Sequence, residues 1–353
     1  MDKMVRLTQT VKDFLITSGA VAVGIATPET LAGGPPSADL TYVLPSAKSA
    51  VCFALPLDQD LIERFLKKEE YRGANIDNRR TNTLASGLAT ELAVFLDMMV
   101  FKSFAVASNL RYRKDIPGGV LEEKPDIAHR YLAVRSGIGH FGLSGNVIRK
   151  EEGAAIILGS VVTEAELIPT DPLPPEENYC DRCGLCQAAC ASGLMSEDEE
   201  ATITLGGVEF TYSKRRSHHR CDYVCGGFAG LAPSGKWSTW SPARFPIPEK
   251  DEEFMPAILN AAQAYKKRQK GVRGFFHAVM PGKEFEITCS HCQLICHPDK
   301  EVRKRRYKML MEGGVVVQNP DGTLKSISPE AAEAYVASLS PGKRALYEDV
   351  GGS

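Results

Sequence analysis

Hydrophobic positions change period several times along the chain, and each change marks an element. Over residues 5–17 apolar side chains recur every three to four positions, which predicts an amphipathic helix. Residues 20–25 and 50–55 are short apolar runs bounded by Gly or Pro, the pattern of buried strands. Residues 85–101 are apolar on most sides and too long for a strand, so they predict a core helix, approached by the polar stretch 75–82. A strand beginning at Val106, a helix over 127–135 and a strand pair around 147–149 and 154–163 follow. Between these last elements lies a glycine-rich turn, residues 136–146. Alternating strands and helices predict a layered α/β (α+β) domain for the first half.

The pattern breaks at residues 169–175, where four prolines mark a linker. Two domains are expected, 1–168 and 169–353, as suits a chain of 353 residues. The second is short in its elements, rich in cysteine and broken by Pro and Gly. Its acidic run 197–200 reads as a solvated loop. Residues 328–338 and 342–347 read as helical segments, the first capped by Ser328 with Pro329 at its first position. No repeat of domain size recurs.

Composition narrows the class. With 43% hydrophobic and 24% charged residues the chain is globular rather than disordered. A net charge of −2 argues against coating nucleic acid by bulk charge, leaving only the local basic runs 214–220 and 300–308 to grip phosphates or an acidic protein. No apolar stretch is long enough to span a membrane, and the first residues carry no apolar signal core. A cytoplasmic location is expected.

The cysteines carry the chemistry. Of 10, all but Cys52 fall between Cys180 and Cys296; Cys52 reads as a buried core thiol. Clustered cysteines in a reducing compartment bind metal more often than they pair. Cys180, Cys183, Cys186 and Cys190 form C-x2-C-x2-C-x3-C, the run of two-cluster ferredoxins. Three thiolates on one tight loop reach one iron–sulfur cube, and the fourth turns away to serve the other. Cys289, Cys292 and Cys296 form C-x2-C-x3-C, one cysteine short. The crossed arrangement gives Cys180, Cys183, Cys186 and Cys296 to one cluster. The other takes Cys190, Cys289, Cys292 and either Cys221 or Cys225. Structural zinc would use the same thiols, but the tandem spacing favours iron–sulfur.

With these motifs the chain resembles the cobalamin-dependent iron–sulfur reductases, the superfamily of epoxyqueuosine reductase and the reductive dehalogenases. The likeness runs from about Leu44 to Pro298. It rests on residues 44–56, on Val120-Leu-Glu122, on the glycine turn with residues 158–163, and on the cysteine motifs, above all Cys292-Gln-Leu-Ile-Cys296. It implies a nitroreductase-like cobalamin-binding domain followed by a ferredoxin-like domain holding two [4Fe-4S] clusters, with an insertion over 226–288 and a short C-terminal tail. It implies that electrons pass from a low-potential donor such as ferredoxin or flavodoxin, through the clusters, to cobalt. Gly137, Gly139, His140, Gly142, Ser144, Gly145 and Asn146 would lie against the corrin tail. Cys221 fits the family's ligand position better than Cys225, and Asp222 and Tyr223 would run under the ring.

Three departures set the substrate apart. Ile116 stands where epoxyqueuosine reductase has a proton-donating Asp, and the nearest acid is Asp115. An isoleucine donates nothing. Asp115, Tyr112 and His140 are therefore the candidate donors. The 226–288 insertion, with Trp237 and Trp240, is long; it caps the cobalt or merely covers the clusters. The tail lacks the helical repeats of some tRNA-acting members. The expectation is a reductase of a small molecule rather than of tRNA. The alternatives are an electron-transfer protein that reduces a partner's corrinoid and a divergent tRNA epoxyqueuosine reductase.

Overall fold

Leu7, Val11 and Leu15 recur every fourth residue and form the buried stripe of helix α1 (Asp2–Thr17). The computed structural model, which describes residues 2–106, 111–268 and 287–350, continues with β1 (Ala22–Ala26) and β2 (Ser49–Pro56). Next come α2 (Gln59–Leu66), α3 (Arg72–Met98), β3 (Ser103–Val106) and α4 (His129–Arg135). The short strands β4 (His140–Phe141) and β5 (Val147–Ile148) frame the glycine turn, and β6 (Ile156–Thr163) follows. A 4-stranded sheet runs β1-β2-β6-β3, every pair antiparallel. This mixed architecture is α+β rather than a parallel α/β sheet.

The two-residue period of β2 divides the core. Val51, Phe53 and Leu55 face α1 and the Ala85–Leu96 stripe of α3. Ala50, Cys52 and Ala54 face α4 and the glycine turn. Cys52 is wholly buried, its thiol donating to the His129 carbonyl at 3.6 Å, as a core thiol should.

The second half comprises α5 (Leu185–Ala188), β7 (Met195–Leu205), β8 (Val208–Arg215), α6 (His219–Cys225) and α7 (Asp251–Lys267). Then come α8 (His291–Leu294), α9 (Lys300–Glu312), β9 (Val315–Gln318), β10 (Leu324–Ile327), α10 (Pro329–Ala337) and α11 (Pro341–Arg344). Among the described residues no helix is long and apolar enough to cross a membrane.

Several expectations need correction. Helix α3 begins at Arg72, not at residue 85, because its polar first turns are buried and satisfied. The Asp77 carboxylate accepts the Asp58 N–H at 2.8 Å, and the Asn75 amide exchanges both hydrogen bonds with the Ile287 backbone. The acidic run 197–200 lies in strand β7 of a hairpin rather than in a loop. Its charges sit on the exposed part, Glu199 paired with Lys214 at 2.6 Å, while Leu205, Phe210 and Tyr212 enter the same core as Ala50. The strand placed at Val106 ends there instead of starting. Of the insertion, residues 269–286 lie outside the described residues. Trp237 and Trp240 are buried, and the Trp240 indole donates to the Phe65 carbonyl at 3.0 Å, so both serve as structural cover. Ser328 does cap α10, its hydroxyl accepting the Ala331 N–H.

Candidate metal centre

Arg303 shows how two motifs more than a hundred residues apart in sequence come together. Its guanidinium is 4% exposed. It donates to the His297 and Pro298 carbonyls at 3.1 and 3.0 Å and forms an ion pair with Asp181, between Cys180 and Cys183. One buried side chain thus ties the end of the second motif to the first. Gly153, at φ +63°, completes the join: a Cβ there would stand 2.3 Å from the Cys296 carbonyl oxygen, which accepts the Ala154 N–H at 3.1 Å.

The cysteine thiols act on one another in two sets that meet between Cys186 and Cys292. The Cys296 thiol is pushed up by burial and then by Cys186, Cys180 and Cys183. Cys186 is pushed up to about 12, by burial first and then by Cys292, Cys180 and Cys183. Cys292 rises to about 12 through burial, Cys190 and Cys221, against the opposing pull of Arg215. Cys289 rises through burial, Cys221, Cys292 and Cys190. For Cys221, the hydrogen bond with Cys225 raises it most, followed by burial, and Cys190 also acts on it. Cys183 is the exposed member of the set.

Buried thiols that repel one another's ionised forms do not suit an apolar core. They suit a soft cation that takes all of them as thiolates. Two backbone and side-chain donors already point at sulfur: the Leu143 N–H at 3.2 Å from Cys180 and the Asn146 amide at 3.8 Å from Cys292. Arg215 steadies Asn146 through its Oδ1 at 3.0 Å and the turn through the Ser144 carbonyl at 3.0 Å. The donor set fits iron–sulfur clusters.

The glycines of the 136–146 turn have protein on the side where a Cβ would stand. A Cβ on Gly137 would meet the Asp171 carbonyl at 2.5 Å, on Gly139 the Ile148 carbonyl at 2.5 Å, and on Gly142 the Ile148 side chain at 2.3 Å. Gly145 is closed by Tyr212, Arg130 and Arg215. Ser144 is buried, and its Oγ accepts the Asn146 N–H. The turn's small residues admit protein and bring Leu143 and Asn146 to the cysteines. Tyr223 is 2% exposed, stacked on Phe228 with its hydroxyl on the Pro246 carbonyl.

The three candidate donors differ sharply. Asp115 is held bidentately by Arg113 at 2.8 and 2.5 Å, which keeps its carboxyl below the usual range and therefore ionised. His140 is buried, its Nε2 2.9 Å from the Pro174 carbonyl. Tyr112 keeps its proton: burial raises its phenol, and the Glu123 and Asp222 carboxylates raise it further. Those carboxylates belong to a cluster that the sequence did not reveal. Glu123, His219 and Asp222 bring ligand atoms within 4.8 Å of one another, and Asp222 draws His219 above the usual imidazole range. The spacing His219-x2-Asp222 around Cys221 was the available signal; Glu123 gave none, because only its left-handed backbone, φ +54°, turns it inward.

Compared with known proteins, the chain matches the epoxyqueuosine reductase of Gloeobacter violaceus at 27% identity over 188 residues, covering 51% of each chain. Over that half of its length the chain is similar to epoxyqueuosine reductase. It spans about half the length of that curated relative. A solved variant of a catabolic reductive dehalogenase shares the fold, with a TM-score of 0.50 and 13% identity over 98% of this chain and 38% of that one. An epoxyqueuosine reductase solved with a tRNA-Tyr stem loop gives a TM-score of 0.42 and 16% identity over 96% of this chain and 74% of that one. No protein-family model matches.

Proposed function

We propose that the chain is an oxidoreductase that carries electrons through two [4Fe-4S] clusters to a corrinoid and on to a small-molecule substrate. The pair of thiol groups carries the reading: Cys180, Cys183, Cys186 and Cys296 would hold one cluster, and Cys190, Cys221, Cys289 and Cys292 the other. When bound, such clusters supply one-electron steps at low potential, and a corrinoid supplies cobalt redox chemistry. The chain supplies the surroundings. Leu143 and Asn146 donate to sulfur, and Arg303 and Gly153 fix the crossing. Exposed Cys183 makes the first group the entry for a low-potential donor such as ferredoxin or flavodoxin. Tyr112, half-buried beside Glu123 and Asp222, keeps its proton and is the candidate donor that stays protonated.

The basic runs favour a small substrate over tRNA. Arg220 is spent on Asp251 and the Ser192 carbonyl, and Arg306 on the Leu294 carbonyl and Gln59. With Arg215 and Arg303 also engaged inside the protein, few guanidinium groups are left for phosphates. A second reading, an electron carrier that reduces a partner's corrinoid, is favoured by Ile116, which stands where a proton-donating Asp is expected.

Adding cobalamin to the anaerobically reconstituted protein and recording paramagnetic resonance separates the two. A base-off cob(II)alamin spectrum supports the reductase. Intact clusters with no corrinoid uptake leave the electron carrier. Restored queuosine in a strain lacking epoxyqueuosine reductase would assign the substrate to tRNA instead.

A further inference from the structure

Lys68 follows helix α2 in the left-handed region, at φ +60°, a conformation costing a non-glycine residue about 1–2 kcal/mol. The turn carries its side chain inward: Lys68 is 7% exposed, and among the described residues its Nζ has neither a hydrogen-bond acceptor nor a carboxylate. It stands 5.8 Å from the centre of the Trp240 ring, which itself packs on Tyr71 and Phe65. A buried ammonium without a partner is among the costliest arrangements in a protein interior. A cation–π contact at that distance offsets only part of the cost. Cys289, a member of the second thiol group, packs against the same apolar cluster as Trp240 and Phe65; burial pulls Lys68 down to about 7, and Cys289 is the centre that draws it back toward the charged form. The other nearby cations are spoken for: Arg215 on Ser144 and Asn146, Arg303 on Asp181.

We infer that Lys68 is the buried countercharge of the cluster held by Cys190, Cys221, Cys289 and Cys292, raising its reduction potential; this rests on the two-cluster reading. Four thiolates around an oxidised [4Fe-4S] core leave a dianion, and one added electron makes a trianion. A cation beside Cys289 stabilises the reduced form more than the oxidised one, because Coulomb attraction grows with the added charge and burial weakens screening. Electrons entering at the exposed Cys183 group are thereby drawn inward to the second cluster. Lys68 acts through the cluster and not on substrate, so it is a positioning charge rather than a catalytic residue.

The test is an anaerobic redox titration of the reconstituted protein, followed by paramagnetic resonance, with iron counted in every sample. Lys68→Met and Lys68→Gln should keep the wild-type iron but shift one of the two clusters toward the oxidised form by about tenfold in the reduction equilibrium. For a one-electron couple that is about 59 mV lower. Lys68→Arg should restore the wild-type value, and the other cluster should not move. Two unchanged potentials in a fully loaded neutral variant would overturn the inference while leaving the clusters standing. Wild-type protein without iron would instead remove the two-cluster reading itself. Two neutral variants of different shape guard against one failing to fold.

Discussion

Cys221 and Cys225 lie one turn apart on α6, and they are not equivalent. Cys221 interacts with Cys190 as well as with Cys225, and both Cys289 and Cys292 respond to it. Cys221→Ala should therefore lose about half the iron, while Cys225→Ala keeps all of it. The reverse pattern in an iron assay would put the ligand one turn further on. His129 gives a second residue-level prediction. Its Nε2 is buried, its Nδ1 lies 2.8 Å from the Ser160 hydroxyl, and burial holds it down to about 4 from an ordinary 6.5. The unfolded chain takes up this proton first as pH falls, so the contribution is whole above about pH 6.5 and fades toward pH 4. At about pH 5.5 some 1.4 kcal/mol, roughly one pKa unit's worth, should be gone. Denaturant titrations at pH 7.5 and 5.5 should show this loss in the wild type and not in His129→Asn. Equal pH slopes would contradict it.

At the scale of elements, legibility followed periodicity. Helix α1, strand β2 and the cap of α10 stood out because Val11 and Leu15, the run around Phe53, and Ser328 with Pro329 each follow a local rule. The start of α3 did not, because Asn75 and Asp77 are polar residues buried by partners from residues 287 and 58, which no local pattern shows. The β7–β8 hairpin was hidden for a related reason: its exposed half is a run of acids, and only Ile203, Leu205, Phe210 and Tyr212 betray a buried side. That the two cysteine motifs come together was legible from their spacing, whereas the glycine turn's hydrogen bonds to Cys180 and Cys292 were not. The turn between β5 and β6 tests how elements position ligands. Gly153→Val would meet the Cys296 backbone and adopt a strained φ. It should cost about 1–3 kcal/mol in thermal or denaturant unfolding. It should also loosen the cluster that includes Cys296, seen as a loss of iron. Wild-type stability with full iron would show that the close approach is not needed.

Across the whole molecule, the sheet and the cysteine segments are joined by buried arginines and by the hairpin rather than by one continuous element. Arg306, 2% exposed, links α9 to α8 and α2 through the Leu294 carbonyl and Gln59, and Arg303 links the two motifs. In the proposed ligand sets each cluster draws on both motifs. The central claim is that eight of the nine clustered cysteines hold two iron–sulfur cubes rather than zinc. Anaerobic purification followed by a joint count of iron, acid-labile sulfide and zinc tests it most directly. A brown protein with about eight irons and about eight sulfides per chain is expected. A colourless protein holding two zincs and no sulfide would contradict it.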